Sequence, residues 1–262
     1  MIWTTRPRSD FGRLRAIRQG DGPAVLLIHG VGLRAEAWNA QLDTLSSMFR
    51  VTAVDMPGHG ASALPAGAQD LRSYTDTIAS GLDTPAIVIG HSMGAMIALD
   101  LAARHKGKVL GVAALNAIFN RSDTAAKAVK ARASLLDTET GADPTPTLAR
   151  WFGDADVIEK EVCRNWLTNV DPMAYRRAYS IFAHENGPDI DTLSALTCPA
   201  LFLTGSAEPN STPEMSETMA SLTPKGKAQI ITGAAHMMPM THAAEVNSAL
   251  LEFARKSAHG RD

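Results

Sequence analysis

This sequence predicts an α/β protein built on a mostly parallel sheet with helices on both faces, and three observations carry the prediction. Short, nearly continuous apolar runs alternate with helical patterns, as strands do when both faces of their sheet are covered. One such run ends on GHSMG, residues 90–94, and passes at once into a helical pattern. The alternation is broken only over residues 118–197, which read as helical. At 262 residues, 45% hydrophobic and 20% charged, the chain is long enough for one large domain carrying such an insertion.

The elements follow in order. GRLRAIRQGDGPAV reads as an early strand and a Gly-Asp-Gly-Pro turn at an antiparallel edge. AVLLIHG (24–30), RVTAVDM (50–56), AIVIG (centred on Ile87), LGVAALNA (110–117), PALFLTG (199–205) and AQIITG (228–233) read as buried strands. Helices are expected over 35–49, 70–80, 93–104, 213–222 and 241–256. The insertion carries AAKAVKARASLL, a DPTP turn, LARWFG, VIEKEVCRNWL and AYRRAYSIFA. Strands resume at Pro199, so residues 1–117 and 198–262 form one core, and 118–197 form a helical cap rather than a second domain. Open α/β folds place their ligands at the carboxyl edge of the sheet, which is where such a cap would sit.

Bulk properties exclude several partners. A net charge of −2 gives no attraction to nucleic acid or to an anionic membrane. No apolar run approaches a membrane span, and MIWTTRPRSDFGRLR lacks a secretory apolar region, so a cytoplasmic protein is expected. Cys163 and Cys198 are far apart and read as reduced thiols. There is no HExxH, no Cys/His cluster and no phosphate-binding glycine loop followed by lysine, so no metal or organic cofactor is expected. The oligomeric state is not readable.

A serine between two glycines at a strand end has two readings, a small residue in a tight bend or a nucleophile lifted above the sheet. Three further signals converge on Ser92. HGVG (29–32) ends the first buried strand; it is either a tight strand exit or the source of an oxyanion donor, the amide of Val31, to pair with that of Met93. Among eight histidines, His236 in ITGAAHMMP follows the last strand, where a loop can carry an imidazole to the sheet edge; a serine hydroxyl needs such a base. His242 opens a helix and reads as a surface or capping residue. Glu208 follows PALFLTG on a turn, where a carboxylate would orient the imidazole, although a solvated turn glutamate is the plainer reading. Glu214 and Glu217 are rivals on the next helix, and Asp189 and Asp191 lie at the wrong end of that strand.

The order Ser92, Glu208, His236 with HGVG upstream resembles the α/β-hydrolase superfamily over nearly the whole chain. DMPGHGAS (55–62) matches the loop after the fourth strand of that superfamily, and Trp38 stands where it often has one. Within it the chain is most like the enol-lactonase, carboxylesterase and cofactor-free haloperoxidase branch. There the cap carries DP-x-x-Y, here DPMAY (171–175), and the acid follows P-x-L-x-x-x-G, here PALFLTG. The family's acid is usually Asp, whereas this chain has Glu208, one methylene longer. The resemblance implies a serine hydrolase cleaving a small carboxylic ester or lactone, with catalytic Ser92, Glu208 and His236 and an oxyanion hole at Val31 and Met93. His59 and His91 are read as structural.

The substrate is legible only through the cap. Trp151, Phe152, Trp166, Phe182 and Met173 would line an apolar pocket or form the cap's own core. Arg34, Arg121, Arg150, Arg164, Arg176 and Arg177 would clamp a carboxylate or lie solvated. Arg34, Trp151 and Trp166 are the substrate contacts put forward. The same triad supports carbon–carbon bond hydrolysis and perhydrolysis, and a binding protein that keeps the fold is the non-enzymatic alternative.

Overall fold

Eight strands form one sheet through the residues described by the computed structural model, 3–67 and 69–259; residues 1–2, 68 and 260–262 of the expected core lie outside the described residues. They are β1 (Ser9–Phe11), β2 (Leu14–Gln19), β3 (Ala24–Ile28), β4 (Arg50–Val54), β5 (Ala86–His91), β6 (Val109–Leu115), β7 (Ala200–Gly205) and β8 (Gly226–Ile231), in the order β1-β2-β4-β3-β5-β6-β7-β8. The pairs β1/β2 and β2/β4 are antiparallel and all others parallel. The early strand is therefore antiparallel as expected, but β1 lies outside it at the edge. β1 is three residues long with Ser9 and Asp10 exposed, too short to show a pattern.

Every residue of β5 and β7 is buried, which is why both read as unbroken apolar runs. Alternate residues enter two cores. Leu26, Ile28, Val88 and Phe202 face one side; Val25, Leu27, Ile87 and Leu203 face the other. β3 pairs with β4 on one side and β5 on the other, so the strand order reverses there and a crevice opens at the carboxyl ends of β3 and β5.

The core helices are α1 (Asn39–Leu45), α2 (Leu71–Ser80) and α3 (Met93–Arg104); between β6 and β7 come α4 (Asp123–Ser134), α5 (Thr145–Phe152), α6 (Ile158–Asn169), α7 (Pro172–His184) and α8 (Ile190–Ser194); α9 (Pro213–Leu222), α10 (Met238–Thr241) and α11 (Ala243–His259) complete the chain. Residues 35–38 form a 3₁₀ turn before α1, so the helix expected from 35 begins four residues later. The DPMAY stretch is the start of α7: Asp171 accepts the Ala174 amide at 2.8 Å and Pro172 takes the first helical position, where it has no amide to waste. No helix among the described residues is long and apolar enough to cross a membrane.

The glycines of GHSMG are dictated by crowding. A Cβ on Gly90 would lie 2.0 Å from the Gly94 carbonyl oxygen, and one on Gly94 would lie 2.1 Å from that of Ile28. Strand, bend and helix close to a distance only glycine permits. Gly90→Ala is expected to destabilise the fold by about 3 kcal/mol or more, because backbone rather than a flexible side chain must yield; a urea midpoint unchanged within error would contradict this.

Candidate active site

Ser92 occupies the bend between β5 and α3 with φ 57° and ψ −120°, a conformation strained for a side-chain-bearing residue. The strain is held by the Ser92 amide donating to the Leu115 carbonyl at 2.9 Å and the Ser92 carbonyl accepting from Ala95 at 2.9 Å. The side chain is half-buried, faces the crevice, and makes no hydrogen bond among the described residues. Met93 is the first residue of α3, so its amide has no partner within the helix and stands at the positive end of the helix dipole.

HGVG faces Ser92 across the crevice; a Cβ on Gly30 would come within 3.1 Å of the Ser92 Cβ. His29 fixes this loop. Its Nδ1 donates to the Gly30 carbonyl at 2.8 Å and its Nε2 accepts the Met56 amide at 3.0 Å. Burial, with His59 adding, pushes the His29 imidazole down to about 3, so it stays neutral and this tautomer is retained. Val31 lines the same cavity as Ser92, and its amide donates no hydrogen bond among the described residues.

Glu208 and His236 meet at 2.8 Å, Oε2 to Nδ1. The other carboxylate oxygen accepts from the Asn210 amide at 2.8 Å and the Ser211 amide at 3.4 Å. Burial alone pushes the Glu208 carboxyl up, but His236 and these amides outweigh it and hold it below the usual carboxylate range. The longer arm of Glu208 is thus accommodated by a turn that folds back on its own carboxylate. His236 leaves Nε2 facing the cavity that Ser92 lines; no hydrogen bond joins the two side chains, a separation common before substrate tightens such sites.

Several residues support the site: His91, read as structural, and Asn116 and Thr204, which the sequence did not single out. His91 Nε2 and Asn116 Nδ2 both donate to the His236 carbonyl, at 2.8 and 2.7 Å. The Thr204 hydroxyl lies 2.9 Å from Asn116 Oδ1 and 2.7 Å from the Ser211 carbonyl, so a buried chain registers the loop of the base against that of the acid. Burial, with His236 adding, pushes His91 down to about 3; it supports the loop as a neutral donor. The only hint of Asn116 was an asparagine directly after an apolar run, where φ of 49° tolerates it.

The crevice opens into a cavity of about 560 Å³ between the sheet edge and helices α4, α5 and α7. Ser92, His236, Val31, Trp151 and Phe182 line it, together with Arg121, Arg132 and Arg150. Arg34 and Trp166 do not. Both line a second cavity on the other side of the HGVG loop, with Met173. Arg34 turns there because Glu36, two residues on, accepts its Nε at 2.8 Å. Phe152 is buried in the core, Arg164 pairs with Glu161, and Arg176 is exposed.

The α/β hydrolase family model matches residues 25–249. The chain is 36% identical over 256 residues to the (E)-2-((N-methylformamido)methylene)succinate hydrolase of Acinetobacter baylyi, covering 95% of this chain and 97% of that one. In structure it is similar to a thermophilic esterase from Thermogutta terrifontis with malate bound, at a TM-score of 0.85 and 26% identity over 97% of this chain and all of the other. The enol-lactonase of Burkholderia xenovorans shares the fold, at a TM-score of 0.80 and 23% identity over 94% and 99% of the two chains. Sheet order, the strained bend at the strand exit and these matches agree, and the chain belongs to the α/β hydrolase family.

Proposed function

We propose that this hydrolase cleaves an acyl bond in a small carboxylate-bearing substrate through a covalent acyl-enzyme, with Ser92 as nucleophile, His236 as base and Glu208 as its orienting acid. Ser92 Oγ attacks the substrate carbonyl carbon while His236 Nε2 takes its proton. The imidazolium so formed is stabilised by Glu208, and the oxyanion lies against the Val31 and Met93 amides. His236 then returns the proton to the leaving nitrogen or oxygen as its bond to carbon breaks. Water, deprotonated by the same imidazole, releases the acid.

The observation that carries the substrate class is the set of three guanidiniums in the same cavity. Arg121 is buried and donates to the carbonyls of Glu185 (2.7 Å) and Phe182 (3.3 Å); Arg132 donates to the Tyr179 hydroxyl and Arg150 to the Thr147 hydroxyl. None of the three forms an ion pair with a carboxylate among the described residues. Burial pushes Arg121 down to about 10, with Arg132 adding, and Arg150 is lowered by the same two causes. Glu214 is the one carboxylate among the described residues lining the same cavity, so three guanidiniums outnumber it and the cavity favours entry of an anion. A dicarboxylate fits that need. The A. baylyi relative is named for a succinate that carries an N-formyl amide, which offers both the two carboxylates and an acyl bond. An N-acyl bond is therefore a candidate beside the ester and lactone bonds to which the sequence points.

The test compares an N-acyl enamine of succinate and a hemisuccinate ester with neutral esters of equal length. The carboxylated substrates are expected to be preferred at least about a hundredfold in kcat/KM. Replacing Arg132 or Arg150 by methionine should raise KM for them by roughly 10- to 100-fold, the worth of one charge-assisted contact, and leave the neutral ester within about twofold. Equal rates on charged and neutral substrates would remove the carboxylate assignment.

A further inference from the structure

The catalytic imidazole proposed above is touched from the cap as well as from the core. Helix α5 divides its residues between two tasks. Leu148 and Phe152, four apart, are buried in the core, while Thr147, Arg150 and Trp151 face the cavity. The Trp151 ring lies parallel to that of His236, with centroids 5.6 Å apart and planes at 25°. On the core side the His91 ring packs at 4.9 Å and 50°. The imidazole thus meets both an aromatic of the cap and an imidazole of the core, with Glu208 bonded to its Nδ1.

We propose that Trp151 is a positioning residue for His236: its indole face fixes the plane of the imidazole and favours the imidazolium that forms when Ser92 attacks. This deepens the reading of His236 as the base and rests on it. A cation over an aromatic face is attracted by the ring's quadrupole, and a parallel stack keeps the ring from rotating out of line with Glu208. His91 cannot supply this attraction, since it already donates to the His236 carbonyl and stays neutral. Trp151 also makes the base sensitive to the cap. The stack exists only while α5 lies over the sheet edge, so a cap displaced from the core would leave His236 without it.

Among the described residues, Glu208 from the loop after β7 bonds the imidazole, His91 from β5 packs against it, and Arg121, Arg132, Arg150 and Glu214 line the cavity it faces. Replacing Trp151 with leucine removes the indole face and keeps an apolar cover, and replacing it with phenylalanine keeps a smaller face. The direct measurement is the titration of His236 in the resting protein by imidazole NMR. Removing an attraction for the charged form must lower the pKa. Trp151→Leu is expected to shift the midpoint down by about half a unit, and Trp151→Phe to recover part of the shift. A second reading uses the indole: its emission in the wild type should fall as His236 gains its proton. The difference between wild type and Trp151→Phe should carry that change, and His236→Gln should abolish it.

A midpoint that is unchanged or raised in Trp151→Leu, or an emission change that survives His236→Gln, would overturn the proposal. If Trp151 served only as a substrate contact, KM would rise and the titration would stay where it was. Neither readout requires turnover, so loss of this proposal is distinguishable from loss of the mechanism, which Ser92→Ala tests. Should the leucine variant unfold, the phenylalanine variant and the emission measurement still decide the matter.

Discussion

Ser92→Ala is expected to lower kcat on every accepted acyl substrate by about 10⁴- to 10⁶-fold, with substrate affinity and thermal stability nearly intact. Alanine keeps the Cβ, and the bend is held through backbone atoms, the Ser92 amide on Leu115 and its carbonyl on Ala95. Only the hydroxyl oxygen, the proposed nucleophile, is lost. His236→Ala should cost a similar factor, and the double variant no more than either alone, because in the proposed route the hydroxyl and the imidazole act as one unit. Glu208→Gln should cost on the order of 10⁴-fold. A glutamine offers an amide where Nδ1 needs an acceptor, so the imidazole loses the tautomer that leaves Nε2 free. Additive losses in the double variant, or a serine variant retaining more than about 1% of wild-type rate, would remove the covalent route.

Legibility in the sequence followed how local the physical constraint was. β3, β5 and β7 could be read because helices cover both faces and most positions are apolar. β8, expected as a buried strand from residue 228, starts two residues earlier and is mostly exposed or half-exposed at the sheet edge, with Gly226 and Lys227 hiding its start. The bend could be read because both forced glycines fall within a five-residue motif, one through a local 2.0 Å approach to Gly94 and the other through a 2.1 Å approach to Ile28 on the neighbouring strand. Glu208 and His236 follow the strands that aim them, so their chain order announced their meeting at 2.8 Å.

Residues defined by remote partners were hidden. Arg132 sits in AAKAVKARAS, an unremarkable helical stretch, and reaches the cavity through Tyr179, 47 positions away. Asn116 acts through the Thr204 hydroxyl and the His236 carbonyl, 88 and 120 positions away. Arg34 shows the opposite error. Its closeness to HGVG suggested a substrate contact, yet Glu36, a neighbour the sequence also displays, takes the guanidinium first.

Acid pH is expected to unfold this protein through a buried charge cluster that also braces the HGVG loop. Arg8 bonds both Glu36 oxygens (2.7 and 2.6 Å) and Asp55 (2.6 Å), and both carboxylates are buried. Asp55 in turn accepts the amides of Ala35 and Ala61, at 2.8 and 2.9 Å, fixing the end of the HGVG loop to the turn after β4. Burial alone would push the Glu36 carboxyl up; Arg8 and the Arg6 amide outweigh it and bring it down to about 2, against an ordinary 4.5. A carboxylate with a lowered folded-state value contributes stability that is complete above pH 4.5 and is lost as pH falls toward 2, where the folded protein must also take up the proton. That shift corresponds to about 3 kcal/mol, or roughly 10 °C in Tm for a chain of this size. Glu36→Gln should therefore destabilise the protein by about 3 kcal/mol at pH 7 and flatten the fall in Tm between pH 5 and 2. Arg8→Met should be worse, since it strands two buried carboxylates at once, and its loss should shrink as acid protonates them. A Tm profile that declines as steeply in Glu36→Gln as in the wild type would move the acid sensitivity elsewhere in the molecule.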